Sequence, residues 1–216
     1  TITAFAHNDV RATNLAREYG GIAELCDMMM RPGPELRAAL KALEVLVTNN
    51  GRNKAEVVAV GQVPTLISIL KHAPLDGNDH LLQFSLVGLS QSCGKMGKRT
   101  RLELRMYKAL PKLVNTLSCN NEITKMYACQ LFSLCVRGDT DNQRELYALG
   151  AAKFLADILR PPLTIQEDTA KYCANAMADL ASLAGPRHFF KKMGASKFLV
   201  DLCAACQSEY LKRSAA

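Results

Sequence analysis

Two closely related decapeptides stand 44 positions apart in this chain of 216 residues: GAAKFLADIL starts at Gly150 and GASKFLVDLC at Gly194. Related segments start at Gly20 (GGIAELCDMM), Gly61 (GQVPTLISIL) and Lys108 (KALPKLVNTL). The steps between the five starts are therefore 41, 47, 42 and 44 residues. A period of this length is typical of helical solenoids, because one repeat cannot bury its apolar face alone and must stack on its neighbours.

Each repeat is predicted to contain three helices. A short first helix ends at the Gly, since Gly stops a helix and Asn, Asp or Pro starts one. The second helix carries apolar residues with i, i+3, i+4 spacing, which places them on one face. These apolar residues are Leu66, Ile67 and Leu70, then Leu113, Val114 and Leu117, then Leu155, Ile158 and Leu159. The longest, third helices are predicted at 35–47, 80–93, 122–136 and 166–183, with a truncated start at 208.

The segments DNQRELYALGAAKFLADIL (141–159) and AKYCANAMADLASLA (170–184) resemble the armadillo-repeat family. HEAT repeats are the nearest competitor, and the Gly between first and second helices favours armadillo. The resemblance implies an all-α, right-handed armadillo-type α-solenoid of about four and a half three-helix repeats. It implies a single domain over 1–216 with repeat units at 8–49, 50–94, 95–138, 139–184 and 185–216, the last truncated. Lys108 stands where the other repeats have Gly, which predicts an altered helix junction there.

The resemblance also implies that the third helices line a concave groove. In the importin-α branch of the family, Trp and an Asn four residues later repeat along that wall. Aligned by apolar residues, the Trp positions here hold Lys41, Val87, Cys129 and Asn175, and the Asn positions hold Val45, Gln91, Ser133 and Asp179. The chain contains no Trp, which excludes an importin-like cargo groove.

One turn earlier, the aligned residues are Arg37, Gln83, Lys125, Lys171 and Arg213. Four of these five are basic, so a column of cations is predicted that would attract an extended acidic peptide, as in β-catenin-like relatives. The alternative is an ordinary solvated surface. The predicted partner-binding residues are Arg37, Lys41, Gln83, Gln91, Lys125, Ser133, Lys171, Asn175, Asp179 and Arg213.

The net charge of +7 is concentrated in two clusters. The first is a predicted basic patch, opposed only by Glu103, that contains Lys95, Lys98, Arg99, Arg101, Arg105, Lys108 and Lys112. The second contains Arg187, His188, Lys191, Lys192 and Lys197. Either cluster would suit an acidic protein, anionic lipid or nucleic-acid phosphate, or is simply solvated. Nucleic acid is the weakest of these options, since no aromatic residues that would stack on bases are interleaved with the cations.

Catalytic and metal-binding signatures are missing from the sequence. The four His residues are scattered, and no HExxH or GxSxG motif occurs. GKMGKRT (94–100) lacks the spacing of a phosphate loop, and Cys203 and Cys206 form an isolated CxxC. We therefore predict no enzyme activity, no cofactor and no metal site.

Eight Cys among apolar residues indicate reduced thiols, which predicts an intracellular, cytoplasmic location in a reducing compartment. No apolar run is long enough to span a bilayer. The chain starts at Thr1 without Met, which suggests a piece of a longer protein. Membrane association through another part of that protein stays open.

These patterns together predict a non-enzymatic scaffold or adaptor that binds segments of partner proteins in the groove of third helices. One alternative is a structural subunit of a larger intracellular assembly, at a membrane or the cytoskeleton, held through the convex first helices or the basic patch. A second alternative is an armadillo domain that senses a small molecule.

Overall fold

The computed structural model describes residues 10–30, 35–47, 50–75, 80–160, 165–197 and 199–200. All regular secondary structure in these ranges is helical, which confirms the all-α prediction. The helices are α1 (Val10–Glu18), α2 (Gly21–Met29), α3 (Glu35–Val47), α4 (Gly51–His72), α5 (His80–Met106), α6 (Leu110–Thr116), α7 (Glu122–Val136), α8 (Thr140–Ala148), α9 (Ala151–Ile158), α10 (Glu167–Leu180) and α11 (Ala184–Lys192). None of these helices is long and apolar enough to cross a bilayer.

Two compact units divide the chain, Thr1–Ser92 and Cys93–Ala216, and the boundary between them falls inside α5. In the N-terminal unit, α2 packs against α3 and α4. The buried residues of α2 are Ile22, Leu25, Cys26 and Met29. Their i, i+3, i+4, i+7 spacing gives the helix one apolar stripe, which covers its two neighbours.

Helix α4 is longer than the sequence suggests. It runs for 22 residues through Gly61 and Pro64, so the prediction that Gly61 stops a helix is wrong. Pro64 has no N–H for the carbonyl of Val60, and Val60 is exposed to solvent, where an unpaired carbonyl is tolerated. Val57 and Val63 are buried on either side of Gly61, so packing keeps this segment helical.

Helix α5 also joins two predicted helices, the third helix at 80–93 and the first helix of the next repeat. It continues for 27 residues through Gly94 and Gly97, and GKMGKRT therefore lies within a helix and not in a phosphate loop. Thr100 and Leu104 are both fully buried, so this stretch has an inner face that favours helix over loop.

In the C-terminal unit the order of first, second and third helices repeats as predicted. The observed third helices Glu122–Val136 and Glu167–Leu180 match the predicted ranges closely, and α7 packs along α10. The predicted second-helix faces are confirmed, since Leu113, Val114 and Leu155 are fully buried. Ile158 is the exception, being half-buried.

The turn between first and second helices needs a left-handed residue. Gly20, Gly150 and Gly194 have φ of 78°, 80° and 70°, and Lys108 has φ of 54°. The N–H of Lys108 donates to the carbonyl of Arg105 over 2.9 Å, as the N–H of Gly150 does to Tyr147 over 2.9 Å. The prediction of an altered junction at Lys108 is therefore wrong, because the lysine adopts the glycine conformation.

Candidate functional site

The face predicted to bind a partner lies on the third helices, which in the C-terminal unit are α7 and α10. Both helices begin with a glutamate, Glu122 in α7 and Glu167 in α10. Two residues further on, Thr124 and Thr169 are both buried. Equivalent residues of the two helices are therefore 45 positions apart.

This register differs by one residue from the alignment made by apolar residues alone, which paired Cys129 with Asn175. The equivalent of Asn175 is Gln130, since Cys129 is fully buried. Ser133 is buried as well, and its hydroxyl donates to the carbonyl of Gln130 over 2.9 Å. The prediction that Ser133 contacts a partner is therefore wrong.

Half-buried side chains recur on the two helices in the corrected register. Tyr127 and Gln130 stand on α7, and Tyr172 and Asn175 stand at the equivalent places on α10. A ring is thus followed three residues later by an amide, which lies on the same side of the helix. We call the half-buried side chains on this side the third-helix face: Tyr127, Gln130, Leu134, Lys171, Tyr172, Asn175 and Asp179. An amide can donate to and accept from a peptide backbone, and a ring offers flat apolar area beside it.

Two of the cations predicted along this face have different surroundings. The Nζ atom of Lys125 lies 2.6 Å from a carboxylate oxygen of Glu122, and the lysine side chain is only 17% exposed. The ammonium of Lys171 lies 5.7 Å from the centroid of the Tyr172 ring, a cation–π distance. Lys125 is therefore paired within its own helix, and the ammonium of Lys171 lies beside the Tyr172 ring on the face.

Asp179 adds a carboxylate about two turns beyond Lys171. Burial raises the pKa of this carboxyl group, whereas the positive charge of Arg137 acts in the opposite direction. On α7 and α10 the third-helix face therefore carries charges of both signs.

The other predicted groove residues lie in the N-terminal unit or outside the described residues. Lys41 and Gln91 are exposed, and Gln83 is half-buried. The side chain of Arg37 and the whole of Arg213 lie outside the described residues. Their role in binding stays a prediction.

The predicted basic patch divides into two parts. Arg101 lies 3.4 Å from Asp139, and Arg105 lies 3.4 Å from Asp139 and 3.3 Å from Asp141. The prediction that only Glu103 opposes the patch is therefore wrong, because the start of α8 brings two carboxylates to it. Arg101 and Arg105 join α5 to α8 and do not stand ready for a partner.

The rest of the patch is more open. Arg99 pairs with Glu103 over 2.8 Å. Lys98 and Lys108 are exposed, and Lys112 is half-buried. The side chain of Lys95 lies outside the described residues.

Buried thiols occur in pairs on the third helices. The Sγ atoms of Cys129 and Cys173 lie 3.3 Å apart between α7 and α10, and Cys135 hydrogen-bonds to Cys93. The hydrogen bond to the partner thiol and burial together raise the pKa of Cys135 and of Cys173, which keeps both protonated.

Within the described residues no three His, Cys, Asp or Glu side chains are grouped to hold a metal ion. The pair Cys203 and Cys206 lies outside those residues.

No family model and no curated protein matches the chain. Solved structures do match it. A designed armadillo repeat protein superimposes with a TM-score of 0.63 at 16% identity, over 99% of this chain and 87% of that chain. Another, in complex with the peptide (KR)4, gives a TM-score of 0.61 at 17% identity over 99% and 87%. A computationally designed armadillo repeat protein for modular peptide recognition gives 0.63 at 17% identity over 99% and 87%.

The chain has the armadillo repeat fold. This confirms the resemblance and the solenoid fold class inferred from the sequence. Identities of 16% and 17% establish the fold alone.

One buried asparagine that sequence reasoning missed ties armadillo repeats together in the C-terminal unit. The side-chain amide of Asn142 donates to the carbonyl of Arg101 over 3.4 Å and to the carbonyl of Cys135 over 3.3 Å. Its oxygen accepts from the Arg105 guanidinium over 2.8 Å. Asn142 therefore links the first helix of its own repeat to the first and third helices of the preceding one.

Asn53 makes the same links between two repeats in the N-terminal unit. Its amide donates to the carbonyl of Thr13 over 3.0 Å and to that of Leu46 over 2.8 Å. The available signal was a capping residue three places before each asparagine, in NGRN (50–53) and DTDN (139–142). These motifs stand 89 residues apart, about two repeats, so the pattern was detectable as a repeated Asn or Asp, x, x, Asn.

Proposed function

We propose that this chain is a non-enzymatic protein–protein interaction scaffold that binds an extended segment of a partner on the third-helix face. The observation that carries the proposal is the repetition of a ring and an amide: Tyr127 with Gln130, and Tyr172 with Asn175. Among proteins of the same fold, one designed member was solved in complex with the peptide (KR)4, and others were designed for modular peptide recognition. These structures support peptide binding as a use of this fold.

The amides suit an extended main chain because a peptide presents one donor and one acceptor at every residue. Gln130 and Asn175 stand one repeat apart, so a segment crossing both helices would be held at two points of its backbone. Selectivity would then come from the neighbouring side chains, Leu134 on α7 and Asp179 on α10. An apolar contact and a carboxylate at equivalent places favour a segment of mixed composition.

The preference for acidic segments is proposed for one position only, opposite Lys171. Its ammonium is held over the ring of Tyr172. Lys125 is excluded from this role by its pairing with Glu122 over 2.6 Å. An acidic partner residue at Lys171 would gain a charge-assisted contact, whereas an entirely acidic segment would meet Asp179.

The test is selection of short peptides on the wild-type chain, followed by fluorescence polarisation with the selected peptides. We expect Q130A/N175A to weaken binding about tenfold or more, since two backbone contacts of the peptide are lost. The matched control N115A/N120A removes two exposed amides away from the third-helix face and should leave affinity unchanged. Selected peptides that bind Q130A/N175A as tightly as wild type would rule out this face.

A second pair of variants tests the charge. K171E should weaken peptides that contain acidic residues, whereas K125Q, which places no second carboxylate beside Glu122, should have little effect because Lys125 is already paired. The exposed Lys54 provides a control for net charge through K54E. Equal losses in K171E and K54E would show that only the overall charge matters.

A further inference from the structure

The turns between first and second helices in the C-terminal unit form a surface that the proposed peptide site does not use. At each turn the N–H of residue 108, 150 or 194 donates to a carbonyl three residues earlier, over 2.9, 2.9 and 3.1 Å. Helix α6 contacts α8, and α9 contacts α11, so each second helix touches the next first helix. The three turns therefore succeed one another along one side of this unit.

Large apolar side chains protrude at two of these turns. Met106 is 68% exposed, Tyr107 is 44% exposed and Leu149 is 36% exposed. Tyr107 and Leu149 occupy equivalent places, each directly before the left-handed residue of its turn. Exposure of apolar side chains to water at repeated positions is unfavourable, so burial of these side chains against another surface is favoured.

Exposed lysines stand close to these apolar groups in the sequence, and the carboxylates Glu103 and Asp157 nearby are paired with Arg99 and Arg160. The exposed lysines at the three turns are Lys108, Lys153, Lys191, Lys192 and Lys197. The stretches 105–113, 147–156 and 188–200 contain no Asp or Glu. We call this set of lysines, with Met106, Tyr107 and Leu149, the junction edge.

The equivalent turn of the N-terminal unit lacks this charge pattern. Tyr19 is exposed directly before Gly20, as Tyr107 is before Lys108. Glu18 and Glu24 flank that turn, however, and no lysine does. Both units therefore expose a tyrosine directly before the left-handed residue, whereas only the C-terminal unit has lysines at its turns.

We propose that the junction edge docks on an anionic lipid bilayer. Protruding apolar side chains accompanied by exposed lysines match an interface with acyl chains below negatively charged headgroups. A bilayer accepts separate protruding groups without a shaped pocket, whereas a protein partner would need a complementary cavity for each. Each lysine near such a surface contributes about 1 kcal/mol, so five lysines suffice for reversible binding.

Co-sedimentation of the 216-residue chain with vesicles tests the proposal. Vesicles of phosphatidylcholine with about one third phosphatidylserine should bind the chain, and pure phosphatidylcholine should not. K153E/K192E should bind at least about tenfold more weakly. The matched control K54E/K71E changes net charge equally, using exposed lysines of the N-terminal unit, and should stay within about twofold of wild type.

Insertion of the apolar tips is tested by fluorescence. The chain has no Trp, so M106W introduces a single indole without background. Its emission should move to shorter wavelength on adding the anionic vesicles, whereas L75W, at an exposed position of the N-terminal unit, should not respond. Circular dichroism of each variant checks that the helices are retained.

Several results would overturn the proposal: no binding to anionic vesicles, equal losses in the two lysine pairs, or an unshifted M106W spectrum. Capture of an acidic protein through the same lysines, without vesicle binding, would assign the junction edge to a protein partner and also overturn it. Q130A/N175A should bind vesicles like wild type, which separates this proposal from peptide binding on the third-helix face.

Discussion

Lys108 holds the left-handed backbone conformation that Gly150 holds one repeat later, with φ of 54° against 80°. A side chain in this region is crowded against its own backbone, which costs roughly 1 kcal/mol that glycine avoids. The turn keeps its geometry at Lys108 because Leu104 and Leu110 on either side of it are fully buried. The fold therefore imposes the conformation on a residue that does not prefer it.

Replacing Lys108 with glycine should stabilise the protein. We expect Lys108→Gly to raise the free energy of unfolding by about 1 kcal/mol, measured by urea denaturation. Lys153→Gly is the matched control, since Lys153 is an exposed lysine within α9 and glycine there should cost about 1 kcal/mol. A destabilised Lys108→Gly variant would show that the lysine side chain contributes more than its backbone costs.

The repeat and the burial pattern could be predicted from the sequence because they depend on local signals. Gly20, Gly150 and Gly194 mark the turns, and apolar spacing marks the second-helix faces. The register of α7 could not be obtained in this way. Cys129 and Ser133 are small enough to be core or surface, and only their burial decides.

The hydrogen bonds of the Asn142 side chain predict a large loss of stability when this side chain is truncated. Asn142→Ala would remove the side-chain donor to the carbonyls of Arg101 and Cys135, the second of which is buried. We expect the free energy of unfolding to fall by about 2–3 kcal/mol. Asn115→Ala removes an exposed amide and should change stability by less than about 0.5 kcal/mol. Similar free energies of unfolding for the two variants would mean that the hydrogen bonds of Asn142 contribute nothing to stability.

Asp139 combines two roles that substitutions can separate. Its side chain accepts from the N–H of Asn142 over 3.1 Å at the start of α8, and it also faces Arg101 and Arg105. Asp139→Ala removes both roles and should cost about 1–2 kcal/mol or more. Asp139→Asn keeps the side-chain oxygen that caps α8. The smaller loss of unfolding free energy in this variant therefore measures the contribution of the ion pairs with the two arginines.

The salt dependence of stability checks the contribution of the Asp139 ion pairs. The difference between wild type and Asp139→Asn should shrink as sodium chloride screens the contact with the arginines. Asp157→Asn is a control at an exposed pair, where Arg160 lies 3.1 Å away, and should have almost no effect. A loss in Asp139→Asn that is independent of salt would point to hydrogen bonding and not to charge.

Cys26 predicts how stability depends on pH. Burial, with smaller contributions from Asp27 and Glu56, raises the pKa of this thiol from 9.0 to about 11. The folded state thus holds the proton more tightly than the unfolded state. Its stabilising contribution is complete below the unfolded pKa and is lost as pH rises from about 9 towards about 11.

Denaturation at several pH values from about 8 to about 10.5 checks this expectation. The stability of wild type should fall more steeply than that of Cys26→Ala above pH 9.0, and the two curves should run parallel below it. Parallel curves over the whole range would refute a raised pKa at Cys26.

The joined helices show where local signals fail. Gly61 and Pro64 both favour a break, yet α4 continues through them because Val57 and Val63 are buried on either side. In α5 the inner face formed by Thr100 and Leu104 has the same effect on Gly94 and Gly97. Non-local packing outweighed the turn propensity of glycine at these places, and no property of the short segments would have revealed it.

The unbroken course of α5 also limits how this array can gain or lose modules. Duplication or deletion of a whole repeat is tolerated when both breakpoints fall in loops, but between 80 and 106 every breakpoint would cut a helix. Breakpoints at 117–121 and 137–139 avoid that penalty, since those segments lie between helices. Changes in the length of this array should therefore fall outside α5, and shortened variants designed to dissect it should be cut between helices as well.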